Sequence, residues 1–140
     1  MSKPSSRSTL YRLIEAGQLA HKALLLPLVE RGLEPGDDAI LFELGRNGMT
    51  EAALAAELGL DGDAIAARLS RLGERGLVTR QAVGPELAPG IALTERGVRI
   101  RNGLADHWTQ LEDALMGELK AKQRKKLGDR LKRFVELLHF

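Results

Sequence analysis

Residues 50–76, "TEAALAAELGLDGDAIAARLSRLGERG", constrain this chain more than any other stretch. Thr50 stands directly before an alanine-rich run, where its hydroxyl can take a free backbone N–H of a first helical turn. Gly59 ends that run, because glycine enters the left-handed region that closes helices. Asp61 caps a second run, "GDAIAARLSRLGER", which Gly76 ends. Two short helices joined by "GLD" leave almost no freedom of connection, so they must pack against each other. Residues 78–83 and 90–93 then read as the strands of a hairpin around the tip "GPELAPG".

The flanks are long and amphipathic. Leu10, Leu13, Ile14, Leu24 and Leu28 recur at spacings near three and four, which predicts a helix over 8–31. Pro27 is expected to kink or weaken its last turns, and Gly32 to stop it. Pro35 suits the first turn of the next helix, with Asp37 and Asp38 near its positive end. Ile40, Leu41 and Leu44 form that helix's buried stripe, and "GRNG" closes it. Thr94 caps a long helix carrying Ile100, Leu104, Trp108, Leu111, Leu115 and Leu119. A last helix over 122–138 places Leu127, Leu131, Phe134 and Leu138 on one face. The expected class is mainly α: a winged helix-turn-helix with a small β-hairpin wing between long flanking dimerisation helices. Residues 35–94 form the winged part of a single 1–140 domain, and 8–31 with 95–138 the dimerisation part.

Composition excludes more than it selects. The chain has 140 residues and no cysteine, so disulfides, thiolate metal sites and thiol redox sensing are out. Lys plus Arg number 21 against 19 Asp plus Glu, a weak basic excess, but it is unevenly spread. Acids dominate residues 28–58 and bases dominate 120–133. The basic run reads first as a solvated helix face and second as a surface for phosphate or an acidic partner. "ALLLPLV" is too short and proline-broken to span a bilayer, and no targeting signal is evident, so a cytoplasmic place with no membrane partner is expected. The polar "MSKPSSRS" start reads as a frayed tail whose Lys3 and Arg7 could supply charge to a DNA backbone.

His21, His107 and His139 have no acid or cysteine at ligand spacing, so no metal site is expected. There is no nucleophile elbow, no phosphate-binding glycine loop and no paired-carboxylate signature. Neither enzymatic chemistry nor a cofactor is predicted.

Taken in order, "MTEAALAAELGLDGDAIAARLSRLGERGLVTR" and "IALTERG" resemble the MarR family of bacterial transcription regulators. The resemblance runs from Leu10 to Leu138 and is strongest at "LAAELGL", "RLGERGLVTR" and "LTERG". It implies a two-fold homodimer interleaved through the terminal helices, binding double-stranded DNA at half-sites one helical turn apart. It also implies a small aromatic or phenolic effector held between the dimer helices and the winged part. Tyr11, His21, Phe42, His107 and Trp108 are the candidates to line such a cleft, though core packing is the plainer role for Phe42 and Trp108.

The second helix of the motif should lie in the major groove. With Ile65, Leu69 and Leu72 inward, the outward residues are Asp63, Ala64, Ala67, Ser70, Arg71 and Glu74. Family members commonly carry serine, threonine and arginine early in this helix; here those positions hold Asp63, Ala64, Ala66 and Ala67. Alanine touches only a thymine methyl, and aspartate accepts from cytosine but is repelled by phosphate. Arg71 is the outward residue able to grip guanine or phosphate. Arg68 and Arg75 flank it, and Arg80 matches a frequently basic family position. The plainer reading pairs these arginines with Glu74 on a solvated face. The tip "GPELAPG" has Glu86 where arginine usually meets the minor groove, so the wing is not expected to probe it. Two functions remain: a DNA-binding regulator, or a winged-helix protein-interaction module that has lost operator binding.

Overall fold

In a computed structural model, residues 8–139 are described. Lys3 and Arg7 lie outside them. The chain divides into two compact units, Met1–His107 and Trp108–Phe140, with the boundary inside one helix.

The first unit opens with α1 (Thr9–Glu30). Ser8 caps it, its Oγ accepting the Tyr11 N–H at 3.2 Å. α1 runs through Pro27 and ends at Glu30, where Gly32 turns the chain with a φ of +70°. The expected weakening does not end the helix: Arg31 Nη1 returns to the Pro27 carbonyl at 3.0 Å and ties down the last turn. α2 (Asp37–Glu43) begins two residues later than predicted. Pro35 stays outside it, because Gly36 takes the N-cap with a φ of +98°.

α3 (Glu51–Leu58) and α4 (Gly62–Glu74) begin and end at the predicted caps. Thr50 Oγ1 accepts the Ala53 N–H at 3.1 Å, and Asp61 Oδ1 accepts the Ala64 N–H at 2.8 Å. Gly59 closes α3 at a φ of +65°. β1 (Val78–Val83) pairs antiparallel with β2 (Ala88–Leu93), in the register Val78 to Leu93 and Val83 to Ala88. β2 starts two residues before the predicted Gly90, because the turn over Gly84–Leu87 is tight enough to pair Ala88 with Val83 and Pro89 with Ala82. Met49 adds a short third rung: its N–H donates to the Ile91 carbonyl at 2.9 Å and its carbonyl accepts the Ile91 N–H at 2.8 Å.

α5 (Glu95–Met116) starts at Thr94 as predicted. Thr94 Oγ1 accepts the Gly97 N–H at 3.0 Å and donates to the Gly76 carbonyl at 2.6 Å, so one side chain caps α5 and fastens it to the end of α4. The core of this unit joins Leu28 and Leu33, Ile40, Leu41 and Leu44, Leu54, Ile65, Leu69 and Leu72, the strand residues Val78, Ile91 and Leu93, and Leu104 of α5. At roughly 25 cal/mol per Å² of apolar surface removed from water, this cluster dominates the unit's stability.

The second unit holds the end of α5 and α6 (Ala121–Leu138). Leu119, assigned to the α5 stripe, falls past the helix end at Met116. Gln123 Oε1 accepts the Lys120 N–H at 3.0 Å and so caps α6. No α6 residue is buried. Its basic run lies in solvent, with Arg124 paired to Glu112 and Arg133 to Glu136. No described helix is long and apolar enough to cross a membrane.

Candidate nucleic-acid interface

α4 is held as the reading helix of a helix-turn-helix would be. Ile65, Leu69 and Leu72 are buried, while Asp63, Ala66, Ala67, Ser70 and Glu74 are exposed. At about 100° per residue, that exposed stripe centres on Asp63, Ala67, Ser70 and Glu74, so its middle carries two acids and no base. Ala64 lies on the flank and is half-buried.

Successive 100° steps put Arg68, Arg71 and Arg75 together on the same flank as Ala64, the side facing the loop between α1 and α2. There Arg68 and Arg71 meet a carboxylate that no local pattern pointed to. Asp37 is fully buried. Its Oδ1 accepts Arg68 Nη1 at 3.0 Å and Arg71 Nη2 at 2.6 Å, and its Oδ2 accepts the Glu34 N–H at 2.8 Å. Arg71 Nη1 also lies 3.2 Å from Glu34 Oε2. The guanidinium of Arg68 crosses so near Gly36 that a Cβ there would lie 3.0 Å from it, and Arg75 Nη1 lies closer still over Gly32.

This corrects two expectations. Arg71 is not an outward side chain with a free guanidinium: it is only 31% exposed and holds two acids. Neither Arg68 nor Arg71 pairs with Glu74. The partners are Asp37 and Glu34, more than 30 residues earlier in the chain, and a carboxylate sealed in the core requires such donors. Asp37 was expected only to complement the α2 dipole, which it does from the first turn, but it also joins α2 to α4.

Arg80 Nη1 lies 3.1 Å from Glu51 Oε1. Arg80 is 78% exposed, so this pair is weak and leaves the side chain available. Between α4 and the root of β1 a shallow depression is lined by Ser70, Thr79 and Arg80 over Leu69 and Val78. Two hydroxyls and a guanidinium are suitable donors for a backbone phosphate. At the wing tip Pro85, Glu86 and Leu87 are all exposed, and Leu87 adopts a φ of +54°.

The effector candidates are not gathered within the first unit. Tyr11 and His21 are both exposed on α1, ten residues and hence roughly 15 Å apart along the axis. Phe42 packs against the core from α2, and His107 is exposed on α5. Trp108 belongs to the second unit and is half-buried. The apolar depression on α1 is lined instead by Leu19, Lys22, Ala23, Leu25, Leu26 and Val29. Among the described residues no group of three acid or histidine side chains is placed to hold a metal ion.

A capped helix pair, a paired hairpin and long flanking helices define a winged helix-turn-helix protein. Solved structures narrow the class. A MarR-family transcriptional regulator from Rhodococcus sp. RHA1 is 25% identical, with 95% of this chain and 97% of that chain covered at a TM-score of 0.68. CouR from Rhodococcus jostii RHA1, bound to p-coumaroyl-CoA, is 25% identical over 95% of each chain at a TM-score of 0.71. MepR of S. aureus, in a complex with DNA, is 19% identical over 95% of this chain and 96% of that chain at a TM-score of 0.67. No protein-family model matches the sequence, and neither does any curated protein sequence. The chain thus shares the fold of these MarR-family transcriptional regulators and is similar to them along nearly its whole length.

Proposed function

We propose that this chain is a dimeric, cytoplasmic transcription regulator that binds double-stranded DNA and responds to a small aromatic or phenolic effector, without enzymatic activity. The observation that carries the reading is α4: capped at Asp61, pinned by Ile65, Leu69 and Leu72, and exposed along its outer face beside a paired wing. MepR, of the same fold, is complexed with DNA, and CouR binds a coumaroyl thioester. Base reading rests on few groups, because the outer face of α4 offers Asp63, Ala67 and Ser70. Affinity then comes mainly from phosphate contacts, with Ser70, Thr79 and Arg80 the best-placed donors. Gel shifts on the protein's own upstream region, against random DNA at two salt concentrations, test the reading. Preference for the upstream region supports it; no binding at either salt overturns it.

The second reading, a winged-helix module that binds protein rather than operator, is favoured by the acidic centre of the α4 face and by the arginines that Asp37 and Glu34 engage.

The dimer is argued from exposure. On α1, Leu10 is 57%, Leu26 59% and Val29 64% exposed, and on α6 Val135, Leu137 and Leu138 are all more than half exposed. Apolar surface of that extent marks an interface. Light scattering after size exclusion is expected to give twice the chain mass at micromolar concentration. A stable folded monomer would refute it.

The wing gives a sharper test. Glu86 at the tip repels phosphate, so Glu86→Arg is expected to tighten DNA binding and to steepen its salt dependence by about one phosphate equivalent. Glu86→Gln should change little. Loss of binding in Glu86→Arg would mean that Glu86 itself makes a contact in the complex.

A further inference from the structure

Arg71 has two unlike partners. Its Nη2 is held at 2.6 Å by Asp37, which no solvent reaches. Its Nη1 faces Glu34 at 3.2 Å, and the Glu34 side chain is 61% exposed. The first bond is built into the core; the second is a surface pair of the kind that exchanges readily with solvent and ions. Arg71 also borders the outward stripe of α4, following Ser70 and one turn beyond Ala67, where a duplex docked on this helix presents phosphates.

From this geometry we infer that Glu34 is an intramolecular stand-in for a DNA phosphate at Arg71, so that docking on DNA requires Arg71 Nη1 to leave Glu34 for a phosphate oxygen while Nη2 stays on Asp37. The inference rests on the DNA-binding reading above. A planar guanidinium suits it, since its fork of donors serves two anions at once. The swap costs little because it exchanges one exposed anion for another, and Asp37 keeps the side chain aimed throughout. Glu34 thereby lowers affinity for every sequence alike, since a phosphate contact carries no base information. The carboxylate comes from the loop that joins α1 to α2, so any movement of that loop changes how strongly Arg71 is withheld.

The test is a double-mutant cycle on DNA affinity as a function of salt, using the full-length protein with Glu34→Gln, Arg71→Lys and the pair. Lysine keeps a charge for buried Asp37, but a single ammonium cannot serve Asp37 and a phosphate together. Glu34→Gln in the wild-type background is expected to tighten binding about three- to fivefold at low salt, on specific and random DNA alike. In the Arg71→Lys background that gain is expected to disappear. An equal gain in both backgrounds would show that Glu34 acts only through its long-range field and would overturn the inference, as would a Glu34→Gln variant that binds like wild type. Wild-type protein that binds no DNA at any salt would instead remove the regulator reading itself, and the inference with it.

Discussion

Asp37→Ala is expected to lower the free energy of unfolding by about 2–3 kcal/mol, measured by urea denaturation. The carboxylate is fully buried and accepts from Arg68, Arg71 and the Glu34 N–H, at 3.0, 2.6 and 2.8 Å. Removing it strands a backbone donor and two guanidinium groups. Breaking a buried pair costs about 3–5 kcal/mol where the remaining charge stays desolvated. Here Arg68 and Arg71 keep 29% and 31% exposure and can turn to water, which reduces the loss. Asp37→Asn keeps the shape and part of the bonding, so a smaller cost of about 1–2 kcal/mol is expected. Wild-type stability in Asp37→Ala would mean that the cluster only breaks even against its desolvation.

Gly97→Leu is expected to have the other large effect, a loss of at least about 3 kcal/mol or failure to fold. Gly97 is buried in the first turn of α5, and a Cβ there would collide with the Leu77 carbonyl oxygen and crowd Leu93. That carbonyl cannot yield cheaply, because it accepts the Thr94 N–H at 3.1 Å while Thr94 Oγ1 donates to Gly76. The close approach is what brings α5 onto the end of the motif. Gly73 is the contrast. It is helical too, but the nearest atoms to its Cβ would lie at 3.9 Å, an ordinary contact. Gly73→Ala is expected to stabilise by up to about 0.5 kcal/mol, since glycine in a helix carries excess chain entropy and Gly73 lies in the last turn of α4. Paired thermal melts of the two variants check both signs. A tolerated Gly97→Leu would show that the junction of α4, β1 and α5 can open without loss.

The order of elements was legible because its signals are local. Thr50, Gly59, Asp61, Gly76 and Thr94 each act on backbone groups within a few residues, and each begins or ends the helix expected of it. The stripe of Ile65, Leu69 and Leu72 follows from helical period alone, and all three are buried. Pro35 misled because its fit to a first helical turn says nothing of Gly36, whose left-handed backbone caps α2 one residue later. The start of β2 was missed because the tip "GPELAPG" reads as including Ala88 and Pro89, whereas in the structure these pair with Val83 and Ala82.

The candidate interface was only half legible. Sequence determined that α4 would present a face with Asp63, Ala67, Ser70 and Glu74 on it, since rotation along a helix is fixed by its geometry, while Ala64 and Arg71 fell to its flank. It also determined that this face is poor in base-reading groups and that the wing tip carries Glu86 in place of arginine. Only the tertiary structure decided what the arginines do. Arg68 and Arg71 meet Asp37 across 31 and 34 residues of chain, and no periodicity or cap encodes a contact at that separation. Packing α2 against the helix pair sealed one carboxylate from water, and a buried charge must be matched by whatever donors lie within reach. The donors within reach were the arginines that sequence alone had offered to DNA.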